Sequence, residues 1–391
     1  MIVVITKALC YHQVYVADDL YKRYGDSFVF VQMREPLDWR VKNKQEGFER
    51  PYLLTYPRCP DKVVDLVKKA DVLIYGEAPL KLIRKKKKTC LLFRMSENIF
   101  KDTQFKISAF DKVKRFFAYK YLKHLTKNNH SFLLACGGYA YNDYHKLGIF
   151  KDRALKWGYF PFVPSVSEDE LKDKFNSSVV EMVWISRLVE YKKPLYLLNL
   201  VEYLISKNIK NFHISVVGDS AESDVDYYKQ MVERINEKQL SKYITMVGRV
   251  NADKVFDFYK KAQVALFTAD NSEGWSVGIG EAMSCACAIV ASNGIGATPF
   301  LVSKDNGVIF QYDKIDELCE SVEDLLINSS HIQALGINGY KTIHEIWNHE
   351  NAAESLVKII DNYFETNKII PLEFGPCSKA EVLDYSWHKE K

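Results

Sequence analysis

Several features are scarce in this chain of 391 residues. No apolar run approaches the ~20 residues that would cross a bilayer as a helix. The opening MIVVIT carries no charge before Lys7 and leads to no small-residue cleavage signal, so it reads as a buried strand rather than a secretory leader. Cysteine occurs eight times (10, 59, 90, 136, 285, 287, 319 and 377) but never with CxxC spacing. That excludes the common zinc frameworks and, with no export signal, favours reduced, mostly buried thiols in a cytoplasmic protein. Cys285 and Cys287 are the one close pair, and helix packing accounts for them. Excess charge is also missing: the net value is +4 with 27% charged residues, while 47% hydrophobic and 13% aromatic content is ample for packed cores.

What is present is a regular alternation. MIVVIT, FVFVQM (28–33), DVLIYG (71–76), TCLLFR (89–94) and FLLACG (132–137) are short apolar runs separated by helix-length segments, the pattern of a parallel sheet covered by helices. VDLVKKA (64–70) is a short amphipathic helix. The stretch 105–128, with Phe110, Val113, Phe117, Leu122 and Leu125 among lysines, reads as one basic amphipathic helix. Prolines, serines and mixed charges interrupt the pattern at 157–178, where the domain linker is expected.

The alternation then restarts with strands at 179–186, 212–219, 244–248, 264–269, 288–292 and 308–312. Helices are expected at 194–207, 225–239, 252–262, 279–287, 316–327 and 331–363. A length of about 150 residues per domain also suggests two or three domains. The expectation is therefore an α/β protein of two doubly wound domains, 1–165 and 166–363, facing each other across a cleft. A tail, 364–391, is expected to return to the first domain. In open α/β sheets ligands bind at the carboxyl ends of strands, so functional loops should follow strands.

The strand at 264–269 is followed by DNSEGWSVGIGEAM, with Glu273 in a Gly-rich loop and Glu281 expected in the first helical turn. Exposed N–H groups at a helix start suit a phosphate, and Gly274, Gly278 and Gly280 allow close backbone approach. Carboxylates suit vicinal hydroxyls, so the glutamates read as hydroxyl readers flanking a phosphate seat. The plainer alternative makes Glu281 a helix-start acid and Glu273 a solvated loop residue. Arg187 and Lys192, after the first strand of the second half, could neutralise a leaving diphosphate or simply be surface residues. Asp224 and Asp226 have the Asp-x-Asp spacing of a metal-bridged diphosphate site, but they also precede a helix as starting acids would.

Taken together, ISRLVEYKKP, VVGDS (216–220), MVGRV (246–250), KKAQVALFTADNSEGWSVGIGEAM (260–283) and CAIVASNGIGATPFL (287–301) resemble the retaining GT-B glycosyltransferases of family four. The resemblance covers the second half and implies two Rossmann-like domains. It would make Arg187 and Lys192 the holders of a donor diphosphate, Glu273 a reader of sugar hydroxyls and Glu281 a reader of the ribose diol. Backbone groups near Gly274, Trp275, Ser276 and Val277 would touch sugar or diphosphate, and Gly218, Gly248 and Arg249 fall at the donor and base-binding loops. It implies a nucleoside-diphosphate sugar donor, a saccharide acceptor, and neither metal nor other cofactor. Phrases such as SENIFKD and LKWGYFP are similar to bacterial cell-surface polysaccharide transferases, which points to a lipid-linked acceptor.

The sequence departs from the family pattern in several places. Gly274-Trp275-Ser276 stands where Gly-Phe-Gly or Gly-Trp-Gly is usual, and Gly294-Ile295-Gly296 leads to no acid. The first-domain Gly-Gly turn is replaced by Lys7–Gln13, and Arg94–Glu97 replaces the usual histidine. His12 and Glu97 are the candidates to orient the acceptor, the one otherwise a loop or core histidine and the other a partner for Arg94.

Charge is uneven along the chain. Between Arg84 and Lys127 fourteen Lys or Arg face three acids, Glu97, Asp102 and Asp111. No nucleic-acid module accompanies them, so an anionic membrane surface is the expected partner of 84–127, at the inner face of the membrane. Two other functions use the same donor residues: a GT-B-fold nucleotide-sugar epimerase, and a noncatalytic nucleotide-sugar binder.

Overall fold

The computed structural model describes residues 1–100, 109–127, 129–220 and 225–389. These form two compact units, Met1–Phe162 with Trp347–Asp384, and Val163–Ile346 with the segment from Tyr385 onward.

The first unit holds a seven-stranded sheet of β1 (Ile2–Thr6), β2 (Phe28–Gln32), β3 (Leu53–Thr55), β4 (Val72–Tyr75), β5 (Leu91–Ser96), β6 (Ser131–Cys136) and β7 (Ala154–Trp157). Their order is β3-β2-β1-β4-β5-β6-β7, all parallel. Every residue of β1, β4 and β6 is buried. Strands covered on both faces need apolar side chains on both, which is why they read as unbroken apolar runs and not as alternation. The short edge strands β3 and β7 lie outside the strands expected from sequence. The segment Cys377–Ala380 covers the β7 edge, with Lys156 N donating to Ser378 O at 2.7 Å and Ala380 N to Ala154 O at 3.0 Å. Pairing of this kind keeps an edge from recruiting a foreign strand.

The helix Tyr11–Tyr24 follows β1 and buries Val14, Val16, Ala17 and Leu20. It packs against the helix His349–Thr366, and Asp19 accepts from His349 Nδ1 at 2.7 Å. This pairing explains why the first unit reclaims Trp347–Asp384, a span that sequence reading divided between the second domain and a tail. The expected continuous helix over 331–363 is two helices, Ser330–Lys341 and His349–Thr366, separated by a π turn at Thr342–Ile346. Asn348 caps the second by accepting from Asn351 N at 2.8 Å.

The basic helix runs from Ala109 to Leu125; residues 105–108 and 128 of its expected span lie outside the described residues. Leu122 is buried, but Phe117, expected on the apolar face, is 61% exposed and its neighbour Phe116 62%. In the IRKKKK run, Lys87 pairs with Asp71 and Lys86 is half-buried, which leaves Arg84, Lys85 and Lys88 in solvent. All eight cysteines are free thiols, six of them buried.

The second unit holds a six-stranded parallel sheet of β8 (Val180–Ile185), β9 (Phe212–Val217), β10 (Ile244–Gly248), β11 (Val264–Phe267), β12 (Ala288–Ser292) and β13 (Gly307–Phe310). Its order is β10-β9-β8-β11-β12-β13. The helix Tyr196–Ser206 buries Leu197, Leu198, Leu200, Val201 and Leu204 against it. Each such side chain contributes roughly 1.5–3 kcal/mol of burial, so this helix is held by its core face.

Candidate functional site

In the second unit the strand order reverses between β8 and β11. Chains leave such a pair in opposite directions, which opens a crevice at the carboxyl ends. The loops carrying Arg187 and Lys192 (after β8) and Glu273 (after β11) both begin there. Hydrogen bonds stitch them together: the Thr268 hydroxyl donates to Lys192 O at 2.6 Å and accepts from Trp184 Nε1 at 2.9 Å, and Asp270 N donates to Tyr191 O at 2.8 Å. Across this seam Lys192 and Glu273 form an ion pair, each side chain only 14% exposed. Arg187 is exposed, its guanidinium donating to Tyr191 OH at 2.9 Å.

The adjacent Lys193 turns the other way. Its backbone is left-handed (φ 52) and its ammonium lies 3.4 Å from both Asp270 and Asp313. Burial pulls its pKa down, but the two carboxylates prevail and the net shift is upward, which keeps it charged. Lys193, Asp270 and Asp313 were not anticipated. The Lys-Lys doublet was the available signal, but one-dimensional spacing cannot tell which lysine faces which loop.

Within the β11 loop, Ser272 N donates to Asp270 Oδ1 at 2.9 Å and Glu273 N to Asp270 O at 3.2 Å. Gly274 and Trp275 are buried; the indole lies edge-on to Phe300 and Trp275 O accepts from Ala297 N at 3.1 Å. The Trp275 ring is therefore core. Ser276 is left-handed, φ 68, and Val277 begins a helix that runs to Ser284. Position 276 is where the resembling family has glycine, and this backbone explains the preference. Glu281 does not sit in the first helical turn as expected. The helix starts two residues earlier than apolar periodicity suggested, so Glu281 lies in its second turn, half-buried.

Two glycines close the neighbouring strands. Gly218 N donates to Gly248 O at 2.9 Å, Gly218 has φ 142, and Gly248 has φ 80 beside a register shift in the β9–β10 pairing. Arg249 follows, exposed. Parallel strands thus put Arg249, Gly248, Gly218, Arg187, Lys192 and the Glu273–Val277 stretch along one carboxyl edge.

Asp226 accepts from Lys229 N at 3.0 Å and caps the helix Tyr227–Glu237, while Asp224 lies outside the described residues. Capping is thus the role seen for the Asp-x-Asp pair's second acid.

In the first unit the order reverses between β1 and β4. His12 is in the first turn of the helix after β1, not in a loop, and its ring lies 4.3 Å from that of Tyr159. Tyr159 in turn hydrogen-bonds Glu97, so one aromatic ring joins the two acceptor candidates. Arg94 donates to Gly76 O and, at 3.2 Å, to Tyr144 OH. Burial, reinforced by the Arg40 charge, pulls the His12 pKa down to about 3, and its Nδ1 is buried with no hydrogen-bond partner among the described residues. The imidazole is therefore neutral at ordinary pH. Nearby, Glu46 has a fully buried side chain held by Arg34 (2.7 and 2.8 Å) and Arg40 (3.0 Å), a triad that sequence reading missed.

Residues 167–342 match the family model described as glycosyl transferases group 1. An uncharacterized glycosyltransferase of Methanocaldococcus jannaschii is 23% identical over 51% of this chain and 49% of its own length. The capsular polysaccharide biosynthesis glycosyltransferase CapH of Staphylococcus aureus is 27% identical over 37% of this chain and 36% of its own. The chain therefore spans half or less of these curated relatives. Among solved structures, Anabaena HepE in complex with UDP has a TM-score of 0.67 at 14% identity, covering 92% of this chain and 99% of that one. A glycosyltransferase from Rickettsia africae has a TM-score of 0.67 at 13% identity, covering 93% and 98%. At these identities the likeness is one of fold: two Rossmann-like, parallel-sheet domains of the GT-B kind.

Proposed function

We propose that this chain is a retaining glycosyltransferase that moves a sugar from a nucleoside-diphosphate sugar to a hydroxyl of a lipid-linked saccharide in cell-surface polysaccharide synthesis. The observation that carries the reading is the Lys192–Glu273 ion pair at the β8/β11 reversal, beside an exposed Arg187. The crevice of a doubly wound sheet is where a nucleotide binds, and this crevice offers cations for a diphosphate and a carboxylate for hydroxyls.

In this reading Arg187 and Lys192 stabilise the departing nucleoside diphosphate. The bond from the anomeric carbon to the phosphate oxygen breaks as the acceptor hydroxyl attacks from the same face, and that phosphate oxygen takes the acceptor's proton. Preorganised positive charge at the leaving group is the main catalytic contribution, with no metal required. Glu273 holds sugar hydroxyls and Glu281 the ribose. His12, neutral and joined through Tyr159 to Glu97, orients the acceptor. Relatives named for capsular polysaccharide and lipopolysaccharide biosynthesis support the cell-surface role. Exposed Phe116 and Phe117, with exposed Lys120, Lys123 and Lys127, support contact with an anionic membrane surface at its cytoplasmic side.

The test is calorimetric binding of UDP-, GDP- and dTDP-sugars to the intact chain and to Glu281→Ala, with turnover followed in excess EDTA. One donor should bind, Glu281→Ala should weaken it, and turnover should survive the chelator. Failure of every donor to bind would remove the reading. UDP-glucose is the first donor to try, since HepE has been crystallised with it.

A further inference from the structure

The segment from Tyr385 to Lys389 belongs to the second unit, although the residues just before it belong to the first. Its anchor is Asn293, fully buried at the carboxyl end of β12. The Asn293 amide nitrogen donates to Tyr385 O at 2.6 Å and to His388 Nδ1 at 3.0 Å, which requires His388 to be neutral with its proton on Nε2. The Asn293 amide oxygen accepts from Tyr312 N at 2.7 Å. One side chain thus ties the segment to Tyr312, two residues past the end of β13.

From Tyr312 the ties continue to the β11 loop. The Tyr385 ring lies edge-on to Tyr312 at 5.4 Å, and Tyr312 OH accepts from Asn271 Nδ2 at 3.4 Å. Asp313, the next residue, shares Lys193 with Asp270. A Cβ at Gly294 would lie 2.9 Å from Asn271 N, so the two loops also touch through backbone. Asn271 is two residues from Glu273.

We propose that Tyr385–His388 is a positioning element for the donor loop: by holding Asn293 and Tyr312 it fixes the backbone that presents Glu273 to the sugar. This rests on the reading of the β11 loop as the donor site. Tyr385 and His388 touch no reacting atom; they act through Asn293, whose buried amide N–H groups are left short of an acceptor when either is removed. A loop that loses one of its ties samples other geometries more often, and binding then selects the competent fraction.

Hydrogen exchange by mass spectrometry, on the intact chain and on a chain stopped after Asp384, tests the brace without any ligand. Peptides covering 270–276 and 308–314 should exchange at least tenfold faster in the shortened chain, while those of β8 and β9 should not change. His388→Ala, which keeps the segment, should show the same pattern more weakly, and His388→Gln, whose amide oxygen can accept from Asn293, should restore it. Calorimetry with UDP-glucose should show the Kd raised about tenfold in the shortened chain, with kcat at saturating donor little changed. Unchanged exchange at 270–276, or a uniform rise across the unit, would overturn the brace. If the intact chain binds no nucleotide sugar, the donor-site reading fails by itself, and exchange alone decides the brace.

Discussion

Gly218→Ala should disable the site from behind. The glycine's φ of 142 is one that L side chains rarely adopt, and an added Cβ would lie 1.8 Å from the Ser186 carbonyl oxygen. Carbon and oxygen approach no closer than about 3.3 Å without strain, so the Ser186 backbone must retreat by roughly 1.5 Å. Ser186 is held by its own N–H to Val217 O at 3.0 Å and leads directly to Arg187. The retreat therefore either breaks β8–β9 pairing or carries Arg187 with it. A misplacement of about 1 Å at a catalytic group costs on the order of 100-fold in rate, so kcat/KM for the nucleotide sugar should fall at least that far. Gly25→Ala is the control: its φ is also positive, 51, with ψ −136, a backbone that essentially only glycine adopts, but nothing lies within 4 Å of the added carbon, so only local conformational strain of about 1–3 kcal/mol is expected. Thermal unfolding and steady-state kinetics on both variants provide the comparison. Gly218→Ala with the melting temperature and kcat/KM of the Gly25→Ala chain would refute the account of this crossing.

Three further outcomes follow from other parts of the molecule. His12 has a folded pKa depressed from 6.5 to about 3, mainly by burial, so its neutral form contributes stability that is complete above 6.5 and lost as pH falls toward 3. The slope from this group is at most about 1.4 kcal/mol per pH unit, and urea unfolding of His12→Gln should show a shallower decline over that window than the parent chain; equal slopes would contradict it. Ser276→Gly should raise stability by about 0.5–1 kcal/mol in the same assay, because it relieves a left-handed non-glycine residue at φ 68; a loss of stability would mean that the serine hydroxyl matters more than the backbone. Vesicles containing anionic lipid at low salt should retain the intact chain and retain Phe116→Ser/Phe117→Ser several-fold less, since both rings are over 60% exposed; equal retention would leave the rings without that role.

Much of the architecture was legible because strands covered on both faces need unbroken apolar runs. β1, β4, β6, β8 and β12 could be read directly from MIVVIT, DVLIYG, FLLACG, VVEMVWIS and AIVAS. The edge strands β3 and β7 escaped because three or four residues carry too little periodicity, and LLT and ALKW contrast weakly with their neighbours. The helix Tyr11–Tyr24 was missed as well. Its polar face, with Asp18, Asp19, Lys22 and Arg23, masked a narrow apolar stripe whose partner, the helix His349–Thr366, lies more than 300 residues along the chain. The break at Thr342–Ile346 was hidden for the opposite reason: apolar spacing runs through it without a proline or a capping signal strong enough to stop a helix.

The sequence by itself determined which residue types stand at the strand ends: two cations after β8, a glutamate in a glycine-rich turn after β11, and glycines closing β9 and β10. Those are local facts, set by hydrophobic runs and by the backbone freedom that glycine alone supplies. Tertiary structure decided which of them meet. Lys192 rather than Lys193 faces Glu273, Lys193 is taken by Asp270 and Asp313, His12 is buried and neutral, and Tyr385–His388 reaches Asn293 from 92 residues away. The reason is the parallel sheet: its strand order, not its sequence order, sets which loops are neighbours, and a reversal of that order is invisible until the strands have paired.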